Sequence, residues 1–167
     1  AQTTAMADYL IGRGAEMNAR DVDHESTAAQ YMVRDRQPIA RHLLRRGADD
    51  ATALVCVQEG GRPARAITFG ALRAAVASAA GWLRRAGVRP GDRVAAYLPN
   101  TEHAVFACLA AASVGAVWAC CSPDFGERAV AERFAQIEPT VLLAVDGYRY
   151  NGKGFDIRST VSDLRKE

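Results

Sequence analysis

The chain has 167 residues, enough for one ordinary domain or two small ones. Hydrophobic residues make up 49% and charged residues 24%, the balance of a globular protein. A formal net charge of +2 is too small to point to nucleic acid or a membrane surface as a partner.

The first fifty residues repeat themselves. Tyr9-Leu10-Ile11-Gly12-Arg13-Gly14-Ala15-Glu16 recurs as His42-Leu43-Leu44-Arg45-Arg46-Gly47-Ala48-Asp49, an offset of 33 residues that also pairs Ala7 with Ala40. Ala40, Leu43 and Leu44 share one helical face at i, i+3 and i+4. Pro38 suits the first turn of that helix, and Gly14 and Gly47 are placed to end each copy in the left-handed region. Asp21-Val22-Asp23-His24 reads as the turn between copies, with Ser26 as the next helix cap. An offset of 33 residues is the ankyrin period, and residues 1–50 resemble an ankyrin-repeat fragment of about one and a half repeats. Ser26-Thr27-Ala28-Ala29 departs from the usual Thr-Pro-Leu-His stretch. The resemblance implies a protein partner and no chemistry. About three repeats are needed for stability, so this stretch is not expected to stand alone.

The pattern changes near Asp50. Ala53–Gln58 reads as a strand, Glu59–Pro63 as a turn with two glycines, and Ala66–Thr68 as a short strand. Thr68 is placed to cap a helix over Phe69–Ala86 with Leu72, Val76, Ala79 and Leu83 on one stripe. Val88–Asp92 is a turn, Arg93–Leu98 a strand, and Pro99-Asn100-Thr101 opens a helix to Val114. The apolar stretch Ala104–Cys121 is broken by Ser113 and Gly115, so it reads as a buried helix running into a buried strand over Ala116–Cys120, not a membrane span. A helix over Gly126–Glu138, a strand over Val141–Val145 and a further helix from Asp156 complete the pattern. Strand and helix alternate with short links, as in βαβ units of a parallel sheet.

The chemistry-bearing residues are sparse. Cys56, Cys108, Cys120 and Cys121 form no CxxC pair and read as reduced thiols of a cytoplasmic protein. His24, His42 and His103 follow no zinc spacing, and the N-terminus has no basic-then-apolar signal pattern. Lys153 and Lys166 are the only lysines. Gly152-Lys153-Gly154 lacks the third glycine of a dinucleotide loop, and no Gly-x-Ser-x-Gly elbow occurs.

Several strings carry a resemblance. Ile67-Thr68-Phe69, Leu72 and the run Gly87-Val88-Arg89-Pro90-Gly91-Asp92-Arg93-Val94-Ala95-Ala96-Tyr97-Leu98-Pro99-Asn100 resemble the opening of the adenylate-forming acyl-CoA synthetases. Within that superfamily, Cys120–Gly126, Arg133–Pro139 and Val145–Lys153 are similar to the acetoacetate–CoA ligases. The resemblance runs over residues 51–167. It implies an α/β fold: the incomplete parallel-sheet N-terminal part of an adenylate-forming enzyme, preceded by the all-α ankyrin-repeat fragment. It further implies acetoacetate, ATP, Mg²⁺ and CoA as substrates and cofactors of the intact enzyme. The family's Ser/Thr/Gly-rich phosphate loop and catalytic lysine have no counterpart in this sequence. No catalytic residue is therefore assigned, and the chain alone is expected to be inactive and to bind no cofactor tightly.

Two segments are candidate binding elements. Ser122, Asp124 and Gly126 follow a strand and open a helix, at the sheet edge where open α/β folds bind ligands. Free N–H groups there suit an anion and Asp124 opposes one, so a helix cap with a tight turn stands beside the functional reading. In related acetate-activating ligases the stretch matching Tyr150-Asn151-Gly152-Lys153 carries arginines that meet CoA phosphates. By that resemblance Lys153 matches the second arginine and Tyr150 replaces the first, and a solvated loop lysine is the alternative. The seam at Asp49-Asp50-Ala51 has no flexible linker, which leaves three readings: a ligase fragment, an ankyrin interaction module, or an unnatural join of two incomplete modules.

Overall fold

A computed structural model describes residues 37–165. The expected first repeat copy, the Asp21–His24 turn and the Ser26 cap lie outside the described residues, as does Lys166. The first described element is helix α1 (Gln37–Leu44). An antiparallel hairpin of β1 (Thr52–Cys56) and β2 (Arg65–Thr68) follows. Thr68 ends β2 and starts α2 (Phe69–Arg85), its hydroxyl oxygen accepting from the Ala71 N–H at 3.2 Å. Leu72, Val76, Ala80 and Leu83 form the buried stripe of that helix, with Ala79 at its margin.

The centre is a three-stranded parallel sheet of β3 (Arg93–Tyr97), β4 (Val117–Cys121) and β5 (Val141–Ala144), in the order β4-β3-β5. Helix α3 (Glu102–Val114) connects β3 to β4, and α4 (Glu127–Ala135) connects β4 to β5. β3 is paired on both edges and covered on both faces. Alternate residues of a strand point to opposite faces. Val94 and Ala96 accordingly enter the core shared with α1, α2 and α3, while Ala95 and Tyr97 enter a second core with Val130 and Phe134 of α4. Val94, Ala95 and Ala96 are completely buried. Doubly apolar strands belong in the middle of such a sheet.

Beyond β5 the chain makes a second antiparallel hairpin, β6 (Gly147–Tyr150) and β7 (Lys153–Asp156), and ends in α5 (Arg158–Leu164). The helix expected from Asp156 is α5, whereas the sequence pattern offers no strand for β6 or β7. The expected apolar stretch from Ala104 is nearly all of α3 followed by β4. Among the described residues no helix is long and apolar enough to cross a membrane.

The seam is hydrogen-bonded into the α/β body. Phe69 N–H donates to Ala51 O at 2.9 Å and Gly70 N–H to Asp49 O at 3.0 Å. The Arg73 guanidinium donates to Leu44 O at 2.6 Å and Gly47 O at 3.1 Å, and pairs with Asp49. The bond to Leu44 O satisfies a carbonyl that the end of α1 leaves open. Ala40 is buried in the same core as Leu72 and Val76.

Gly47 differs from expectation, since its φ is not in the left-handed region. It is a glycine because of its neighbour: an added Cβ would lie 2.0 Å from Phe69 Cδ2. Gly47→Ala must therefore push the Phe69 ring away at the start of α2. Such overpacking costs roughly 1–3 kcal/mol. The urea midpoint of the whole α/β unfolding transition, read by circular dichroism, should fall with the slope unchanged. An unchanged midpoint would mean that residues 37–50 do not share its cooperative unit.

Candidate functional site

In a parallel sheet the carboxyl ends of all strands lie at one edge, so the segments after β3, β4 and β5 are neighbours. The Ser122–Gly126 segment leaves β4 and tightens at once, with Phe125 N–H donating to Ser122 O at 3.1 Å. Gly126 is the N-cap of α4, and no side chain caps that helix. Asp124 and Gly126 are exposed, and Ser122 is half-buried. The tight turn is thus present, while Asp124 does not serve as the helix cap.

This turn is held from beneath. The buried Tyr97 hydroxyl lies 3.0 Å from Pro123 O and 3.1 Å from Phe125 O, with one proton to share between them. Burial pushes the Tyr97 phenol above its usual range, and Tyr148, Asp124, Cys121 and Glu127 add to the same direction. It therefore stays a protonated donor at neutral pH. Cys121 lies beside it, its thiol also raised by burial, against which the Arg133 guanidinium acts. Arg133 also sits over the Phe125 ring at 5.2 Å. None of the four cysteines forms a disulfide, and among them only Cys121 is buried.

Tyr150-Asn151-Gly152-Lys153 is the tip of the β6–β7 hairpin. Asn151 and Gly152 have φ of 51° and 73°, the paired positive angles of a two-residue type I′ turn. Asn-Gly is the strongest short-range hairpin signal. Lys153 is therefore an exposed strand residue paired with Tyr150, not a loop residue. Tyr148 pairs with Phe155 in the same register, their rings stacked with centroids 5.0 Å apart. Residues two apart and cross-strand partners share a face. Tyr148, Tyr150, Lys153 and Phe155 therefore stand on one face of the hairpin.

Tyr148 joins the two candidate segments. Its hydroxyl reaches Pro123 O at 3.5 Å, the carbonyl that Tyr97 also approaches. The hairpin face bearing Tyr150 and Lys153 is thereby anchored to the Ser122–Gly126 turn. Glu59, on the β1–β2 connection, was not singled out in the sequence. Its carboxylate accepts from Asn151 N–H at 2.7 Å and Gly152 N–H at 3.1 Å. No local pattern could have found it, because its partners are more than ninety residues away. Among the described residues no three His, Cys, Asp or Glu side chains gather as a metal site.

The family described as AMP-binding enzyme matches residues 41–166. The acetoacetyl-CoA synthetase of Macaca fascicularis is 49% identical over 114 residues, 68% of this chain and 17% of its own length. The acetoacetyl-coenzyme A synthetase of Rhizobium meliloti (strain 1021) is 39% identical over 158 residues, 94% of this chain and 24% of its own. The solved structure of the acetoacetyl-CoA synthetase from Streptomyces lividans superposes with a TM-score of 0.73 at 53% identity, over 76% of this chain and 20% of that one. The chain thus spans about a fifth of the length of these relatives. The family match and the Rhizobium alignment both cross Asp49-Asp50-Ala51. These matches give no support to the ankyrin reading of residues 1–50.

Below the hairpin, Asp156 fixes the start of α5. Its Oδ1 accepts from the Arg158 N–H and Nε, both at 3.0 Å. The Arg158 side chain first, and then its N–H, hold the Asp156 carboxyl down at about 2 from 3.8. A depressed carboxyl stabilises the fold above its unfolded value. The contribution should therefore be complete above about 4 and fade as pH falls towards about 2. The Asp156 carboxyl carbon should titrate by NMR near about 2, and Arg158→Ala should return it towards 3.8. An Asp156 midpoint near 3.8 in the unaltered chain would show that the contact is not formed.

Proposed function

The chain belongs to the AMP-binding enzyme family, and from that membership we propose that it is the front part of an ATP-dependent acid–thiol ligase acting on acetoacetate and CoA. The observation that carries this reading is 49% identity over 114 residues to an acetoacetyl-CoA synthetase. The family match over residues 41–166 takes in the parallel sheet and both candidate segments. In the intact enzyme the acetoacetate carboxylate attacks the α-phosphorus of ATP, releasing diphosphate and leaving an acyl-adenylate. The CoA thiol then attacks the acyl carbon, giving acetoacetyl-CoA and AMP.

This chain's share of the work is binding and positioning. Lys153 offers an exposed ammonium to a CoA phosphate, and Tyr150 stands opposite it on the same hairpin face. The Ser122–Gly126 turn forms the floor beside them, fixed by Tyr97 and Tyr148. Asp124 is exposed on that turn and repels an anion from its own side, which favours approach from the hairpin. ATP and Mg²⁺ belong to the reaction of the intact enzyme. Mg²⁺ offsets charge on the phosphates there. Within this sequence no Ser/Thr/Gly-rich phosphate loop is present to cradle ATP.

The purified 167-residue chain is expected to form no acetoacetyl-CoA from acetoacetate, ATP and CoA, because the adenylation step lacks its phosphate loop. Measurable product would overturn that. In the intact enzyme, Lys153→Ala should raise the KM for CoA roughly tenfold, the loss of about one charge-assisted contact, and leave the KM for ATP unchanged. An unchanged KM for CoA would remove Lys153 from the site. Preference for a different carboxylic acid would overturn the substrate while leaving the ligase class standing.

A further inference from the structure

The hairpin tip holds a polar feature that the lysine reading does not use. In a two-residue hairpin the flanking residues, here Tyr150 and Lys153, complete the ladder. The N–H groups of the two central residues are left over. Both central residues have positive φ, so their N–H groups converge on one point as an anion-binding concavity. That point is filled by a carboxylate of the same chain: Glu59 Oε2 accepts from Asn151 and Oε1 from Gly152, at 2.7 and 3.1 Å. One oxygen meets each N–H, the two-oxygen grip that a phosphate monoester would also offer.

The holder of that carboxylate is weakly tied. Glu59, Gly60 and Gly61 are exposed. Gly60 and Gly61 have φ of 84° and 71°, and a Cβ added at either would meet nothing within 4 Å. The β1–β2 connection therefore has open space around the residues that carry Glu59. An exposed charge-assisted contact of this kind contributes little net free energy, because both partners are otherwise well hydrated.

We infer that the Asn151 and Gly152 N–H pair is an oxyanion site whose resident occupant is the Glu59 carboxylate, and that Glu59 competes there with a phosphate-bearing ligand. The competition is one-for-one. The incoming phosphate oxygens accept the two N–H bonds that Glu59 releases, and the carboxylate turns to solvent with the β1–β2 connection. Like charge keeps both anions from sharing the turn. Lys153, beside Gly152, adds a cation that either occupant can use. The inference concerns backbone N–H groups and does not rest on CoA as the ligand.

The test uses the full 167-residue chain with inorganic phosphate as probe, at constant ionic strength, followed by the amide signals of Asn151 and Gly152 in ¹H–¹⁵N spectra. In the unaltered chain these two signals should sit downfield and respond weakly to phosphate. In Glu59→Ala they should move upfield, and phosphate should then shift them back saturably, with an apparent affinity at least about tenfold tighter than in the unaltered chain. Glu59→Gln, which keeps shape and removes charge, should fall between. Equal phosphate responses in the unaltered chain and Glu59→Ala would overturn the competition. No response in either would overturn the oxyanion site itself. Both outcomes leave the Lys153 reading to its own test, the KM for CoA.

Discussion

The described residues are arranged around one strand whose last four residues are buried. β3 is paired on both edges and covered on both faces, and Val94, Ala95 and Ala96 have no exposed surface. Its alternating side chains supply two separate cores, so α2 with α3 on one side and α4 on the other are positioned by the same few residues. The alanines matter as much as the valine. Small side chains let helices approach both faces closely, and interiors packed this densely penalise even one added methylene. Arg93 secures the entry to the strand: its guanidinium donates to Ile137 O at 2.7 Å and Glu138 O at 2.8 Å, tying the end of α4 to the start of β3.

Order passes from that strand to the candidate site through hydroxyl groups. Tyr97 is the last residue of β3, fully buried, with its oxygen at the carbonyls of the Ser122–Gly126 turn. Tyr148 brings the second hairpin to the same turn, and Glu59 brings the first hairpin to the tip of the second. The three sheets share no backbone ladder. They meet through side-chain oxygens at the carboxyl edge. The candidate site therefore combines a floor held by a buried hydroxyl with a tip held by exposed contacts.

The central α/β pattern was legible because each element carries its own local signal. Thr68 before an apolar stripe marked the start of α2, and the break at Ser113 and Gly115 separated α3 from β4. What escaped reading had weak or distant signals. β6 and β7 are four residues each, and every residue of β7 is exposed, so no alternation of apolar and polar side chains announces them. The Asn151-Gly152 pair is the local signal of the turn, and the exposed charge of Lys153 beside it is equally typical of a solvated loop. Glu59 is an acidic residue beside two glycines, which describes any solvated turn. Only the fold supplies its partners.

The offset of 33 residues in the first fifty is the most instructive case. The face read from it is correct for the described copy: Ala40 is buried, and Leu43 and Leu44 pack beside it. Periodicity identifies which side of a helix is apolar and leaves open what covers that side. Here the cover is α2 and α3, and the residues after the helix are fitted to α2 one by one. Gly47 makes room for the Phe69 ring, the Asp49 carbonyl accepts from Gly70, and Arg73 collects the carbonyls at the end of α1. Each of these features belongs to a repeat motif when viewed as sequence. Each is explained in the structure by a contact to α2, which begins only at Phe69. The absence of a linker at Asp49-Asp50-Ala51 follows from the same contacts, since a segment hydrogen-bonded to the start of α2 needs no flexible tether.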